Sequence, residues 1–238
     1  YKKQEVKANI LRASLINKII RAEGDTQTTV FEGKTPTVII TADTQEYDVN
    51  KNVMTAQGGV VIHYKEIETY SNKAVIRTNK KGDLQRIDLI GQARVRQDKQ
   101  RSSADHFIYS PETNEIIAKG HVNTEGVMDD DSKLILKSDF QQFNQNSNTF
   151  LGSGSVKIWY KDYYAEGPKV SFYPDVKTKK PNEIYFTGRS SITEDVKTIY
   201  ADKIKMVLKP KTFYAEGNTK TVIRDIGHSH NSNGDLFN

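Results

Sequence analysis

Three features of this 238-residue sequence predict an all-β fold built from stacked antiparallel hairpins. First, a stretch seen most clearly at 42–62 (ADTQEYDVNKNVMTAQGGVVI) returns at 104–124, 138–158 and 201–221, with a weaker copy opening at Ala8. In all five, a small residue and an Asp or Asn stand sixteen and fifteen positions before a glycine. Gapless repeats of this length mean a stacked architecture. Second, seven glycines (24, 58, 91, 120, 154, 188, 217) follow one another in steps of 34, 33, 29, 34, 34 and 29. The step pattern recurs after 96 or 97 residues, so a duplication of about three units underlies the short repeat. Third, polar turn clusters at 49–52, 110–114, 144–148 and 209–211 separate short runs rich in Val, Ile, Tyr, Phe and Thr. Turns this short join antiparallel neighbours. Two strands per glycine unit give about fourteen strands, or about sixteen with extras at the ends.

Taken in order, residues 1–7 form a polar lead-in. Residues 10–20 carry apolar residues at near-helical spacing, yet the repeat alignment assigns them to a degenerate first hairpin. The units at 87–95 and 184–192 keep the glycine segment and lack the Ala-Asp pair. Residues 129–133 (DDDSK) and 177–182 (KTKKPN) read as surface loops, and 227–238 as a polar end. No linker-like stretch separates the halves, so 1–238 is expected to be one domain, with repeats over about 8–223.

Alternation then assigns the faces, because side chains two apart in a strand share a side. Four and two residues before the glycines stand pairs such as Met54/Ala56 and Ile116/Ala118. Two and four residues after them stand Val60/Ile62, Val122/Thr124 and Val156/Ile158. The residue just after each glycine (Asp25, Gly59, Gln92, His121, Ser155, Arg189, Asn218) is polar or small. One face is therefore apolar and the other wet, and parity places the glycine itself on the apolar face, where it permits a bend or a close approach. The hairpin's other strand adds Leu11, Tyr47, Phe107, Tyr109, Phe143, Ile204 and Met206 to the same stripe. For the repeated Asp or Asn (9, 43, 105, 139, 202) a backbone-bonding role is favoured over a catalytic or metal role, since five identical sites argue against one active centre.

Composition narrows function by exclusion. The net charge of +5 is scattered, unlike the clustered basic footprint of a nucleic-acid binder. There are no cysteines, hence no disulfides and no thiolate chemistry. No apolar run approaches membrane-spanning length, and the start at Tyr1 rather than Met suggests a removed leader or anchor. Gly152-Ser153-Gly154 is explained by the repeat, with no following helix to make a dinucleotide site. His63, His106 and His121 are scattered; His228 and His230 sit in the polar end, and Asp129–Asp131 read as a turn. Lys65/Lys161 and Lys73/Lys169 hold equivalent places in the two halves, either as solvated charges or as rim contacts to phosphate. Trp159 and Tyr160 read as cross-strand packing or as rim residues. No activated serine, carboxylate pair or phosphate loop is present, so no enzyme activity, cofactor or metal is expected.

The grammar A-D-x-x-x-[YF] followed by apolar-x-A-x-G-x-V-x-[IV], best matched at 42–62, 104–124 and 201–217, resembles the OstA-like family of lipopolysaccharide transport proteins. That family holds the LptA-like periplasmic bridge, LptC and the N-terminal domain of LptD, and the resemblance covers about residues 8–223. It implies an open, twisted antiparallel β-jellyroll, V-shaped in section, in a periplasmic protein that binds lipopolysaccharide acyl chains and hands the lipid toward the outer membrane. The implied groove lining is Tyr47, Met54, Val60, Ile62, Val95, Phe107, Ile116, Val122, Phe143, Phe150, Val156, Ile158 and Phe213. It further implies inner- and outer-membrane partners at the edge strands and head-to-tail self-association between residues near 8–31 and 213–224. The chain is longer than a minimal bridge protein, and its end repeats are Thr-rich (Thr26, Thr28, Thr219, Thr221), which leaves an LptC-type or LptD-type relative open. Two other classes compete: a structural β-repeat protein with a closed core, and a carbohydrate-active β-solenoid enzyme, which would need a cluster of acids and aromatics on one outer face.

Overall fold

The computed structural model describes residues 2–128, 131–208 and 210–224. The described residues form sixteen strands, of which the first half holds β1 (Lys2–Lys7), β2 (Ile10–Ser14), β3 (Ile19–Glu32), β4 (Thr35–Asp48), β5 (Val53–Tyr64), β6 (Ile67–Thr78), β7 (Leu84–Gln97) and β8 (Gln100–Ser110). The second half holds β9 (Glu115–Val127), β10 (Lys133–Asn144), β11 (Thr149–Tyr160), β12 (Tyr163–Pro174), β13 (Pro181–Glu194), β14 (Lys197–Leu208), β15 (Lys211–Glu216) and β16 (Lys220–Ile223). From β3 to β15 each strand pairs antiparallel with the next in sequence, forming a single open sheet. β1 and β2 share one edge position beside β3, and β15 and β16 share the other beside β14. The 10–20 segment is a hairpin, as the repeat alignment requires, and not a helix.

The hairpin ends differ on the two sides of the sheet. On one side, two-residue turns start with a left-handed residue: Gly33, Lys65, Asp98, Lys161 and Asp195 all have positive φ. This is the backbone twist that suits tight hairpins. On the other side, turns at 15–18, 49–52, 111–114 and 145–148 end in a left-handed Lys18, Asn52, Asn114 or Asn148. Two connections there are longer, at 79–83 and 175–180. Asn79 Oδ1 accepts from the amides of Lys81 and Asp83 (2.8 and 2.9 Å), and Asp175 Oδ1 from those of Lys177 and Thr178 (2.9 and 2.8 Å). These side chains replace backbone bonds the loops cannot make. Residues 129 and 130 of the DDDSK loop and the polar end from 225 onward, with His228 and His230, lie outside the described residues.

A line of β-bulges crosses the sheet at the repeat glycines. On β5 the register jumps between Gln57 and Val60, while β4 opposite jumps between Thr41 and Thr44, so β5 holds one extra residue. Gly58 (φ +80°) and Gly59 (φ +52°) are both left-handed there, which turns the strand sharply. The same jump recurs along the sheet, at Gly24, Gly91, Gly120, Gly154 and Gly188. Inward side chains on both sides of this crease are buried: Ala56 is 1% exposed before it, and Val60 1% after it. A single sheet can bury one face only by doubling back on itself, so the strands' two halves form two wings of a V closed at the crease. The glycines, however, do not join the apolar face. A Cβ on Gly58 would lie 2.1 Å from Asp43 Oδ2, on the exposed outer side. On β5 the inward set keeps its parity from Met54 and Ala56 to Val60 and Ile62, with Gly58 alone turned out by the bulge, while on β4 the set shifts by one between Ala42 and Gln45.

Candidate functional site

The V's interior is lined in rows, because register partners stand side by side across neighbouring strands. The row nearest the mouth of the first wing runs Ile20, Tyr47, Met54, Ile76, Ile87, Tyr109, Ile116, Phe143, Phe150, Phe172, Ile184, Met206, Phe213. It is apolar from one edge of the sheet to the other. Most of it is half-buried, and only Phe172, Ile184 and Met206 are fully covered. Phe150 and Phe172 pack edge to face at 5.2 Å between ring centres. At the crease the floor is close-packed, with Val60, Val122 and Val156 each 1% exposed. Between the wings near Ile158, Phe172 and Ile184 remains an apolar cavity of about 50 Å³. That is well below the roughly 300 Å³ at which ligand pockets begin.

Two polar clamps cross the crease. The Thr28 hydroxyl donates to Gln45 Oε1 (2.6 Å), and Gln45 Nε2 donates to the Ile40 carbonyl (3.0 Å). Ninety-six residues later the Thr124 hydroxyl donates to Gln141 Oε1 (2.6 Å), and Gln141 Nε2 to the Leu136 carbonyl (3.4 Å). Ser102 extends this second clamp through a 2.8 Å bond to Thr124. Both glutamines are 4% exposed, and the second clamp separates one apolar cluster, centred on β4–β9, from another on β10–β14. On the rim of the second wing, lysine ammonium groups lie over tyrosine rings, Lys65 over Tyr64 (5.2 Å) and Lys161 over Tyr160 (5.4 Å), while Lys211 of β15, beside the first wing's mouth row, reaches across to Tyr163 (4.0 Å).

Residues 39–135, from β4 into β10, match the family described as LptA/(LptD N-terminal domain) LPS transport protein. Over this span, somewhat less than half of the chain, the sequence is similar to that lipopolysaccharide-transport family. The matched stretch holds Gly58, Gly91 and Gly120 and is about one duplicated module long. No curated protein matches the chain. Among solved structures, LptH from Pseudomonas aeruginosa, described as the LptA homologous periplasmic component of the lipopolysaccharide transport device, aligns at 12% identity. That alignment covers 79% of this chain and 95% of LptH, with a TM-score of 0.24.

Within the sheet the thirteen expected lining residues fall into two groups. Tyr47, Met54, Ile116, Phe143, Phe150 and Phe213 stand in the mouth row, and Val95 on the second wing; all seven are half-buried. Val60, Ile62, Phe107, Val122, Val156 and Ile158 are at most 5% exposed and form the packed floor. Ile76 and Phe172 belong to the mouth row but escaped the sequence reading, because β6 and β12 lack the Ala-Asp tag. The structure supplies their equivalents: Asn72 lies against Gly91, and Pro168 against Gly188, where Asp43 lies against Gly58. Counting four on from Asn72 and Pro168, as from Asp43 to Tyr47, reaches Ile76 and Phe172. The repeated acids therefore act at the crease: Asp105 bonds His121 (2.8 Å), and Asp202 bonds Asn218 (2.7 Å). The Asp105 contact raises the exposed His121's pKa above its usual value.

Several charges stand away from the trough. Lys73 and Lys169 point outward, next to the buried Ala74 and Val170, so only Lys65 and Lys161 of the four equivalent lysines reach a rim. Trp159 is on the outer face, packed at a tilt against Tyr164 (5.2 Å between ring centres) under Lys137. Asp88, 5% exposed on that face, accepts from Arg86 (2.7 Å twice) and Arg77 (3.2 Å) and contacts His106 Nε2 (2.8 Å). Burial pushes its carboxyl pKa up, but Arg86 and His106 outweigh that and hold it below the usual range. The cluster ties neighbouring strands together outside the V. Among the described residues no group of three or more His, Cys, Asp or Glu could hold a metal ion.

Proposed function

We propose that this chain is a non-enzymatic carrier that shields the acyl chains of lipopolysaccharide between its wings and relays the lipid across the periplasm to the outer membrane. The observation that carries the reading is the mouth row, apolar from Ile20 to Phe213 yet left partly exposed everywhere but at Phe172, Ile184 and Met206. A sealed structural core would cover such a row, whereas a long exposed apolar strip marks a binding surface. Each methylene moved from water onto it gains about 0.8 kcal/mol. The packed floor means that chains enter at the mouth as the wings part, pivoting at the crease. The ladder is similarly greasy along its length, so sliding is nearly isoenergetic and direction comes from an outside motor. Rim lysines Lys65 and Lys161 meet the lipid's phosphates. No helix among the described residues is long and apolar enough to cross a membrane, and the partners in the two membranes dock on the sheet's edges.

Those edges also serve self-association, head to tail. The N-terminal contact is β1 and β2, residues 2–14, rather than the whole of 8–31, because β3 already pairs on both sides. To test the carrier, a photo-reactive phenylalanine is placed at Phe143 or Phe150, and at Ile117 on the outer face of β9 as control. Lipopolysaccharide is expected to crosslink from Phe143 and Phe150 only. Equal capture at Ile117, or none at the mouth positions, would overturn the reading.

A further inference from the structure

Between the two clamps lies lining that carries hydroxyls with nothing to bond. Thr69 on β6 is in register with the inward Ile62 and Val95, so it faces the trough. Ser71, two residues on, is in register with Val60 at the floor. Ser71 is 6% exposed, and neither its hydroxyl nor that of Thr69 has a hydrogen-bond partner. The third orphaned buried polar atom among the described residues, Asn123 Oδ1, faces outward, away from the trough. Buried polar groups are normally satisfied, so an orphaned pair in one short stretch of apolar lining calls for a cause.

The clamps identify what is missing. Thr28 and Thr124 are each met across the crease by a glutamine two residues beyond the crease Asp: Gln45 after Asp43, Gln141 after Asp139. On β6 the place two beyond Asn72 holds Ala74, fully buried and unable to accept a bond. The protein supplies the acceptor on β4 and β10 and withholds it on both such strands between them, with Ala74 on β6 and Phe107 on β8. Of these two, it is β6 that carries the unpartnered hydroxyls. Thr69 is the third residue of β6, about 7 Å of strand inward of the rim turn that carries Lys65, so it meets a chain several bonds below an anionic end held there.

We propose that Thr69 and Ser71 form a polar station that hydrogen-bonds an oxygen carried on the acyl chain of the bound lipid, a chain hydroxyl or carbonyl near the head. This rests on the trough holding lipid chains at all. The full chain is titrated with tetradecanoate, 3-hydroxytetradecanoate and 3-oxotetradecanoate, by displacement of a fluorescent fatty acid. The wild type is expected to bind an oxygenated chain about five- to tenfold tighter than tetradecanoate, the gain from one or two net hydrogen bonds. Preference for both derivatives identifies an acceptor on the ligand; preference for the hydroxy acid alone identifies a donor–acceptor pair. The isosteric T69V/S71A variant is expected to bind tetradecanoate as before, to lose the preference, and to melt no lower than the wild type. Equal binding of all three chains by the wild type, or a preference kept by the variant, would sink the station and leave the carrier reading intact. No binding of any chain would sink both.

Discussion

A methyl group added at Gly58 would meet three atoms of Asp43 at once: Oδ2 at 2.1 Å, Cγ at 2.6 Å and Cβ at 2.8 Å. Rotating the aspartate clears the oxygen but not its Cβ, so backbone must move at the crease itself. The left-handed backbone costs alanine roughly 1 kcal/mol before any clash. Gly33 offers the control, since it is equally left-handed (φ +64°) with nothing within 4 Å of a Cβ. G33A is therefore expected to lose about 1 kcal/mol and G58A about 2–3 kcal/mol in urea unfolding. Equal losses would mean that Asp43 does not pack on the glycine in solution. At this scale the sequence announced that the glycines mattered and hid where they point. Parity counting carries from Met54 to Ala56 and resumes at Val60, but the bulge between them turns Gly58 outward, and a bulge leaves no mark in an alternation pattern.

The paired threonine and glutamine of each clamp join the two halves of neighbouring strands across the crease, and so set how far the wings open. Removing Gln141 as Q141L strands a buried Thr124 hydroxyl, apart from its bond to Ser102, and is expected to cost about 1–2 kcal/mol. T124V alone strands the glutamine's oxygen at similar cost. The double variant T124V/Q141L removes both partners, so its loss should fall at least about 1 kcal/mol short of the sum. Strict additivity in urea melts would show that the two side chains do not meet. Gln45 and Gln141 were not singled out in the sequence, since a lone glutamine in a strand reads as solvent-facing. Only their shared 96-residue spacing, matched by Thr28 and Thr124, marks them. The same scale explains why β6 and β12 went untagged. The loops at 79–83 and 175–180 lengthen the distance from crease residue to glycine, from 15 to 19 for Asn72–Gly91 and to 20 for Pro168–Gly188. Gapless alignment misses a repeat whose turn has grown.

Strand count, antiparallel order and the apolar stripe were legible from the repeat, because each depends only on local spacing. The wing angle was not, since it depends on how the two faces pack, and so the split of lining residues into packed floor and open mouth emerged only in three dimensions. The repeat also bears on assembly. Positions across the sheet alternate between strands with a crease Asn, Asp or Pro and strands with a crease glycine, beginning with Ala8–Asn9 between β1 and β2 and ending with Gly217 between β15 and β16. A second copy stacked on the last strand would thus continue both the alternation of type and the alternation of direction, which a mismatched pair of edges could not do. The joint is greasy as well: Val6 (44% exposed), Ile10 (46%) and Leu11 (59%) at one edge, Tyr214 (61%) and Ile223 (70%) at the other. Unpaired strand edges of this kind add strands unless charge blocks them. Sedimentation velocity over a concentration series is expected to find mass growing in steps of one chain. L11K and I223K, each placing a lysine on an edge, should weaken that association at least about tenfold, the effect of losing a buried apolar contact and gaining a charge. L15K, in the fully exposed 15–18 turn, should leave it unchanged. A wild type that stays monomeric throughout, or an L15K that weakens association as L11K does, would mean the edges are not where copies meet.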